Sequence, residues 1–127
     1  MRTISITVRK PGQLLNMNDR GNRYSSARSV KNWREAAFWW AKQHALRCHM
    51  APDTTVEVWV EFGTDKPNQR RDPHNFMPTI KALCDGFTDA KVWPDDNSKY
   101  VRTAEPAFTT DVKADSLRIT LTWQEKE

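Results

Sequence analysis

Segments in which apolar and polar residues alternate most constrain the fold of this chain. The alternation runs through residues 3–8, 56–62 and 117–123, where every second position is Val, Ile, Leu, Phe or Trp. Successive side chains of a β-strand point to opposite faces of a sheet, so this pattern indicates strands with one buried face. Residues 100–105 show a shorter alternation that predicts a fourth strand.

Two segments between these strands have helical spacing instead. Over residues 27–47, apolar side chains recur three and four positions apart, which predicts a long helix with one buried stripe. The stripe consists of Val30, Trp33, Ala37, Trp40 and Ala41. A second, shorter helix is expected up to residue 90, with Asn75 as its N-cap. Its apolar face consists of Ile80, Leu83, Cys84 and Phe87.

The order of the predicted elements is strand, helix, strand, helix, strand, strand. This order favours an α+β fold in which two helices pack on one side of a small mixed sheet. A chain of 127 residues has room for one such domain, so a single compact domain is expected over residues 1–127.

Composition restricts where the protein works and what it binds. The sequence has no apolar run long enough to span a membrane and no signal-peptide core at its start, so we expect a cytoplasmic protein without a membrane partner. Its two cysteines, Cys48 and Cys84, suit a reducing compartment. A net charge of +4, with bases concentrated over residues 20–34 and at positions 70–71, favours a polyphosphate partner.

The polar loop that follows the first strand admits two interpretations. Asn16, Arg20 and Arg23 carry donors suited to a nucleic-acid backbone. A loop of this polarity is equally typical of a solvated connection between secondary-structure elements. Both interpretations remain open at the level of sequence.

Residues 70–101 contain the pattern richest in chemistry. In chain order it comprises Arg70, Arg71, Asp72, Lys81, Asp85, Asp95 and Asp96. Mg²⁺ prefers a few carboxylate oxygens together with water and substrate phosphate, and it activates water for phosphodiester hydrolysis. In this interpretation the outer acids hold the metal, Lys81 places a charge near the scissile phosphate and the two arginines hold flanking phosphates. Alternatively, the last acids form an ordinary turn and Lys81 pairs with Asp85 on a solvated helix face.

The spacing of these residues resembles the signature of a known family. Asp72-x-x-Asn75, Lys81-x-x-x-Asp85-Gly86-Phe87 and Asp95-Asp96 are similar to the pattern of the RusA family of Holliday junction resolvases, found in bacteria and their phages. The likeness also includes the polar loop, the long first helix and the closing strand, so it covers nearly the whole chain. It implies a RusA-like homodimeric, Mg²⁺-dependent endodeoxyribonuclease of DNA recombination and repair. Such an enzyme resolves four-way DNA junctions by paired phosphodiester cleavage in the bacterial cytoplasm.

Chemistry and resemblance together give an expected set of site residues. The catalytic residues are expected to be Asp72, His74, Lys81 and Asp96. The expected metal ligands are Asp72, His74, Asp95 and Asp96. The expected DNA contacts are Asn16, Arg20, Arg23, Arg70, Arg71 and Asn75. Asp85 is expected to support the site as a further ligand or by orienting Lys81, whereas Asp89 is expected to be solvated.

The chain departs from the family pattern at His74, where the second acid of Asp-x-Asp-Asn is replaced. Three extra residues also stand between Asn75 and Lys81. Imidazole is a poor ligand for Mg²⁺ but a fair one for Mn²⁺, so His74 suits a Mn²⁺ ligand, a base for the attacking water or a structural cap. If the replacement instead weakened the metal site, the alternative function is a non-cleaving accessory protein that binds junctions or other branched DNA.

Overall fold

The computed structural model describes residues 1–17, 23–47, 54–95 and 97–124. Its elements are β1 (Arg2–Arg9), α1 (Arg23–Gln43), β2 (Val56–Gly63), a 3-10 helix (Pro73–Phe76), α2 (Met77–Asp89), β3 (Val101–Thr103), β4 (Ala107–Thr109) and β5 (Ser116–Trp123). One mixed sheet of five strands carries the two α-helices, so the predicted α+β fold is confirmed.

The two longest pairings of the sheet are antiparallel. β5 lies between β1 and β2 and runs antiparallel to both. On its other edge β2 pairs with β3 and β4, and these pairings are parallel. Parallel strands need a connection that crosses over the sheet, and α2 with its flanking loops supplies this connection between β2 and β3.

One face of the sheet is buried beneath the helices, as the alternation predicts. The buried side chains of β2 and β5 are Val56, Val58, Val60, Phe62, Leu117, Ile119, Leu121 and Trp123. They form one core cluster with apolar residues of both helices. On the opposite face Trp59 is 48% exposed, so the second face of β2 meets solvent.

The two helices cross in close contact at Gly86. A Cβ atom built on Gly86 would lie 2.3 Å from the carbonyl oxygen of Arg34 and 2.7 Å from the Cβ of Ala37. The crossing also brings the Arg34 guanidinium to Asp89, with Nε–Oδ2 and Nη2–Oδ1 distances of 2.6 and 2.8 Å. The expectation that Asp89 is only solvated is therefore wrong.

Both helices end at a residue in the left-handed conformation. Ala45 has φ 50° and Lys91 has φ 64°, values that usually favour glycine. The amides of the following residues, Leu46 and Val92, donate to the carbonyls of Ala41 and Phe87. This 6→1 bond is the mark of a Schellman ending. The first of these endings stops α1 at Gln43, four residues before the predicted limit at residue 47. α1 also begins at Arg23, four residues before the predicted start at residue 27.

The edge formed by β3 and β4 contains a β-bulge. Thr103 lies opposite Val58, and Ala107 lies opposite Glu61. The edge therefore advances four residues while β2 advances three, so one extra residue is present between the two pairings. An insertion of this kind re-aims the following side chains. The predicted strand over residues 100–105 is accordingly shorter than expected, and β4 is an additional strand.

Candidate functional site

A short 3-10 helix places the first two candidate residues. Asp72 adopts an extended backbone, as the residue before a proline usually does, and its Oδ1 accepts a hydrogen bond of 3.1 Å from the amide of His74. Asp72 is thus the N-cap of this turn. α2 begins afterwards at Met77 without a side-chain cap, so the expected capping role of Asn75 is wrong. The cap restricts the exposed Asp72 carboxylate to one orientation.

His74 projects from this turn towards an acid on the edge of the sheet. Its Nδ1 lies 3.7 Å from Oε1 of Glu105, and the two side chains are 63% and 60% exposed. Glu105 is the residue that follows Ala104 in the bulged segment between β3 and β4. Sequence reasoning missed Glu105. The signal that was available is Pro106, because a proline interrupts the ladder of a strand.

Lys81 and Asp85 lie one helical turn apart on α2, as predicted. The Lys81 Nζ is 3.8 Å from Asp85 Oδ2, and the lysine side chain is 77% exposed while that of Asp85 is 21% exposed. Both residues line a cavity of about 610 Å³. The remaining lining residues are Met17, Met77, Pro78, Ile80, Cys84, Ser98, Val101 and Thr103.

Cys84 lines the same cavity, but its thiol has low reactivity. Burial and, to a smaller extent, the neighbouring carboxylate of Asp85 raise the pKa of its thiol to about 12, while the charge of Lys81 opposes the rise. A thiol with this pKa stays protonated near neutral pH, so Cys84 is a poor nucleophile there.

The acidic turn after α2, residues 95–98, reaches this cavity through Ser98. Asp95 is exposed, and its Oδ2 accepts a hydrogen bond of 3.3 Å from the side-chain amide of Asn97. Asn97 also accepts a hydrogen bond of 3.0 Å from the amide of Lys99, which closes the turn. Ser98 belongs to this turn and lines the cavity beside Lys81 and Asp85. Asp96 lies outside the described residues.

A second, more polar cavity of about 400 Å³ contains two of the expected DNA contacts, Asn16 and Arg71. The Arg71 guanidinium donates to Thr64 Oγ1 at 2.7 Å and lies 4.6 Å above the centre of the Phe108 ring. It also donates to two oxygens of Gln69 and to the Lys66 carbonyl. Arg71 therefore holds the loop after β2 in place, whereas its neighbour Arg70 is exposed.

The loop after β1 separates the two cavities and is fastened to the start of α2. The Leu15 amide donates to Thr79 Oγ1 at 2.8 Å, and the same hydroxyl donates back to the Leu15 carbonyl at 2.9 Å. Met17 donates from its amide to the carbonyl of Asn75 at 2.8 Å. Asn16 consequently faces the polar cavity while Met17 lines the cavity of Lys81.

Lys10, which sequence reasoning did not select, contributes a second cation to the polar cavity. Its Nζ donates to the carbonyls of Gly63 and Ala114 at 2.9 and 2.7 Å. Burial lowers the pKa of Lys10, the carboxylate of Asp115 opposes this change and the charge of Arg71 adds to it. Sequence offered no signal for this position, because the carbonyl groups that hold Lys10 come from distant parts of the chain.

Of the expected site residues, Lys81 and Asp85 line one cavity, and Asn16 and Arg71 line the other. Arg20 lies outside the described residues, and so does the side chain of Arg23. Among the residues that the structure does describe, no group of three or more His, Cys, Asp or Glu is arranged so that it could hold a metal ion. A three-ligand centre made of Asp72, His74 and Asp95 is therefore not preformed.

Comparison with known proteins adds no family assignment, since neither a protein-family model nor a curated protein matches this chain. In the described part of the chain, no helix has the length and apolar character needed to cross a membrane.

Proposed function

We propose that this protein is a metal-dependent, structure-specific DNA endonuclease that resolves four-way junctions. The observation that carries the proposal is the cavity lined by Lys81 and Asp85 from α2 and by Ser98 from the acidic turn. Lys81 and Asp85 meet a residue of the acidic turn there, next to the carbonyl of Asn75 that anchors the loop after β1. A cation beside a carboxylate suits the hydrolysis of a phosphodiester, because the cation stabilises charge on the phosphate and carboxylates are able to hold a metal ion that activates water.

The roles follow from the charges. Asp72, Asp95 and Asp96 would hold Mg²⁺, or Mn²⁺ if His74 is also a ligand, and the bound ion would acidify water and neutralise charge on the phosphate. Lys81 is largely exposed, so its ammonium group is free to approach the non-bridging phosphate oxygens. Asp85 orients Lys81 from the same helix face. Arg70 and Asn16 would contact the DNA backbone.

A homodimer would account for paired cleavage of a junction. A two-fold axis relates two identical sites, and a four-way junction presents two equivalent strands to them. We therefore propose a homodimer acting on branched DNA in the cytoplasm of a bacterial cell, encoded by the bacterium or by a phage.

A specific observation favours a second candidate function. The described residues contain no preformed group of three metal ligands, and His74 stands where an acid would strengthen such a group. A protein with a weakened metal site would bind junctions or other branched DNA without cutting them. This alternative shares the DNA contacts with the first proposal and differs from it in chemistry.

The test is cleavage of a labelled four-way junction and of a matched linear duplex in Mg²⁺, Mn²⁺ or EDTA. Asp72→Asn is the informative variant, because asparagine preserves the N-cap while removing the charge. Asp111→Asn is the matched control, since this exposed acid lies in the connection between β4 and β5. Metal-dependent paired nicks confined to the junction, lost in Asp72→Asn and kept in Asp111→Asn, are expected.

Binding of the same junction, measured in EDTA by gel shift, separates the two candidate functions. For an endonuclease, Asp72→Asn should bind the junction at least as tightly as the wild type. Junction binding by the wild type without nicks in either metal would refute the endonuclease and support the accessory protein. Absence of both binding and cleavage would refute both.

A further inference from the structure

Glu105 faces His74 from the bulged segment of the edge strand. If alternation were regular after Thr103, Phe108 would point to the open face of the sheet. The extra residue returns Phe108 to the helix side, where its ring lies 5.6 Å from that of Phe62 and 5.2 Å from that of Phe76. Glu105 is two residues after Thr103 and lies on the helix side by alternation alone, beside the 3-10 helix that carries His74.

The backbone on both sides of this pair is well anchored. Pro106 is buried directly after Glu105, and the amide of Ala104 before it donates to the carbonyl of Val58 at 3.2 Å. On the other side of the pair, the amide of His74 donates a hydrogen bond to the capping side chain of Asp72. Only the two side chains are free to rotate. Shortening the Nδ1–Oε1 distance of 3.7 Å by about 0.8 Å, to the length of an ordinary hydrogen bond, requires only such a rotation.

A carboxylate beside one imidazole nitrogen selects the tautomer of the ring. A neutral imidazole has one donor and one acceptor nitrogen, and the carboxylate can only accept. With Glu105 beside Nδ1, the favoured tautomer carries its proton on Nδ1 and leaves a lone pair on Nε2. Histidine ligands of metal ions are commonly held in this way, by a carboxylate on the nitrogen that does not bind the metal.

We propose that Glu105 is a positioning residue that holds His74 with its proton on Nδ1 and presents Nε2 to a divalent transition-metal ion such as Mn²⁺. The proposal rests on the proposed function for the use of that ion in DNA cleavage. It extends the site from the predicted stretch of residues 70–101 to the bulged edge of the sheet. It also explains how a histidine serves at a position where an acid would need no such partner.

The test measures the tautomer and the affinity for Mn²⁺, both without DNA. Long-range ¹H–¹⁵N spectra of the imidazoles at about pH 8.5, well above the ordinary histidine pKa of about 6.5, report which nitrogen carries the proton. Electron paramagnetic resonance of free Mn²⁺ reports its binding. The variants are Glu105→Ala, the conservative Glu105→Asp and the control Glu57→Ala, which removes an exposed acid from the opposite face of the sheet.

The wild type should carry the His74 proton on Nδ1, and Glu105→Ala should move it to Nε2. Mn²⁺ affinity should fall about 10- to 100-fold in Glu105→Ala, recover partly in Glu105→Asp and stay unchanged in Glu57→Ala. In a His74→Asn background, Glu105→Ala should have no further effect on Mn²⁺ binding. A proton on Nε2 in the wild type, or equal Mn²⁺ affinities of the wild type and Glu105→Ala, would overturn the proposal.

These readouts are independent of cleavage. If Mn²⁺ binds through His74 and Glu105 while junctions are never cut, the endonuclease proposal fails and the pairing of Glu105 with His74 stands. If junctions are cut while Glu105→Ala changes neither readout, the positioning role fails and the endonuclease proposal stands.

Discussion

Replacing Gly86 by alanine tests whether the crossing of α1 and α2 determines the position of Lys81 and Asp85. The added Cβ would lie 2.3 Å from the Arg34 carbonyl oxygen, about 1.1 Å closer than the 3.4 Å at which ordinary contact begins. The obstacle is backbone, so rotation of a side chain cannot relieve the overlap. The helices must instead separate by about an ångström.

The expected cost follows from two opposing terms. Alanine favours a helix over glycine by about 1 kcal/mol. Overpacking of a well-packed core costs typically 1–3 kcal/mol and more when backbone has to move, and the shift also loosens the fully buried Leu83 and Phe87. Because backbone has to move, we take the packing cost as about 2–4 kcal/mol; subtracting about 1 kcal/mol of helix propensity leaves a net destabilisation of about 1–3 kcal/mol, which lowers Tm by about 4–12 °C for a domain of this size.

Urea and thermal unfolding, followed by tryptophan fluorescence and circular dichroism, measure this effect. Gly12→Ala is the matched control, because a Cβ at Gly12 has no atom within 4 Å and its stability should change little. Adding Ala37→Gly to Gly86→Ala removes the 2.7 Å contact but not the 2.3 Å one, and it costs about 1 kcal/mol of helix propensity in α1, so it should not restore the stability of the wild type. A Gly86→Ala protein as stable as the wild type would refute the reasoning.

Two further predictions concern the ends and flanks of α2. Lys91→Gly should stabilise the protein by about 0.5–1 kcal/mol in urea unfolding, because φ 64° costs glycine nothing; a loss of stability would show that the lysine side chain itself is needed. The hydrogen bond from Arg34 lowers the pKa of Asp89, and that from Arg118 lowers the pKa of Glu61. Both pairs should therefore stabilise the fold above the ordinary carboxyl pKa values, and this contribution should be lost as pH falls through the lowered ones. Each solvent-screened pair contributes less than about 1 kcal/mol; in Asp89→Asn the decrease in stability from pH 6 to pH 3 should be smaller than in the wild type, and an equal decrease would refute the linkage.

Part of the pattern that resembles the RusA family has a packing explanation in this structure. Gly86 allows the close crossing of the helices, and Phe87 is fully buried with its ring 5.9 Å from that of Trp93. These two residues would be needed in a protein of this fold with or without catalysis. The chemical part of the resemblance therefore rests on the acids, Lys81 and Asn75, and the experiments on DNA cleavage address that part.

The candidate site was predictable where its residues share one element. Lys81 and Asp85 are four positions apart, and helical geometry alone places them on the same face. Arg71 was expected to hold phosphate because its type suits that role, but Thr64 and Gln69 engage its guanidinium. The residue type tells which groups a side chain is able to bind, whereas its neighbours in the structure determine how many of its donors are already engaged.

The sequence by itself determined the three long strands, the two helices and the one-sided burial of the sheet, because alternation and helical spacing act over a few neighbouring residues. Only the tertiary structure decided the left-handed ends of the helices, the pairing of Arg34 with Asp89 and the contact of His74 with Glu105. The two side-chain pairings depend on the register between segments distant in the chain, and the helix ends lack the glycine that usually marks such an ending. One extra residue in the edge strand is enough to turn Phe108 back towards Phe62 and Phe76, and no local pattern encodes that register.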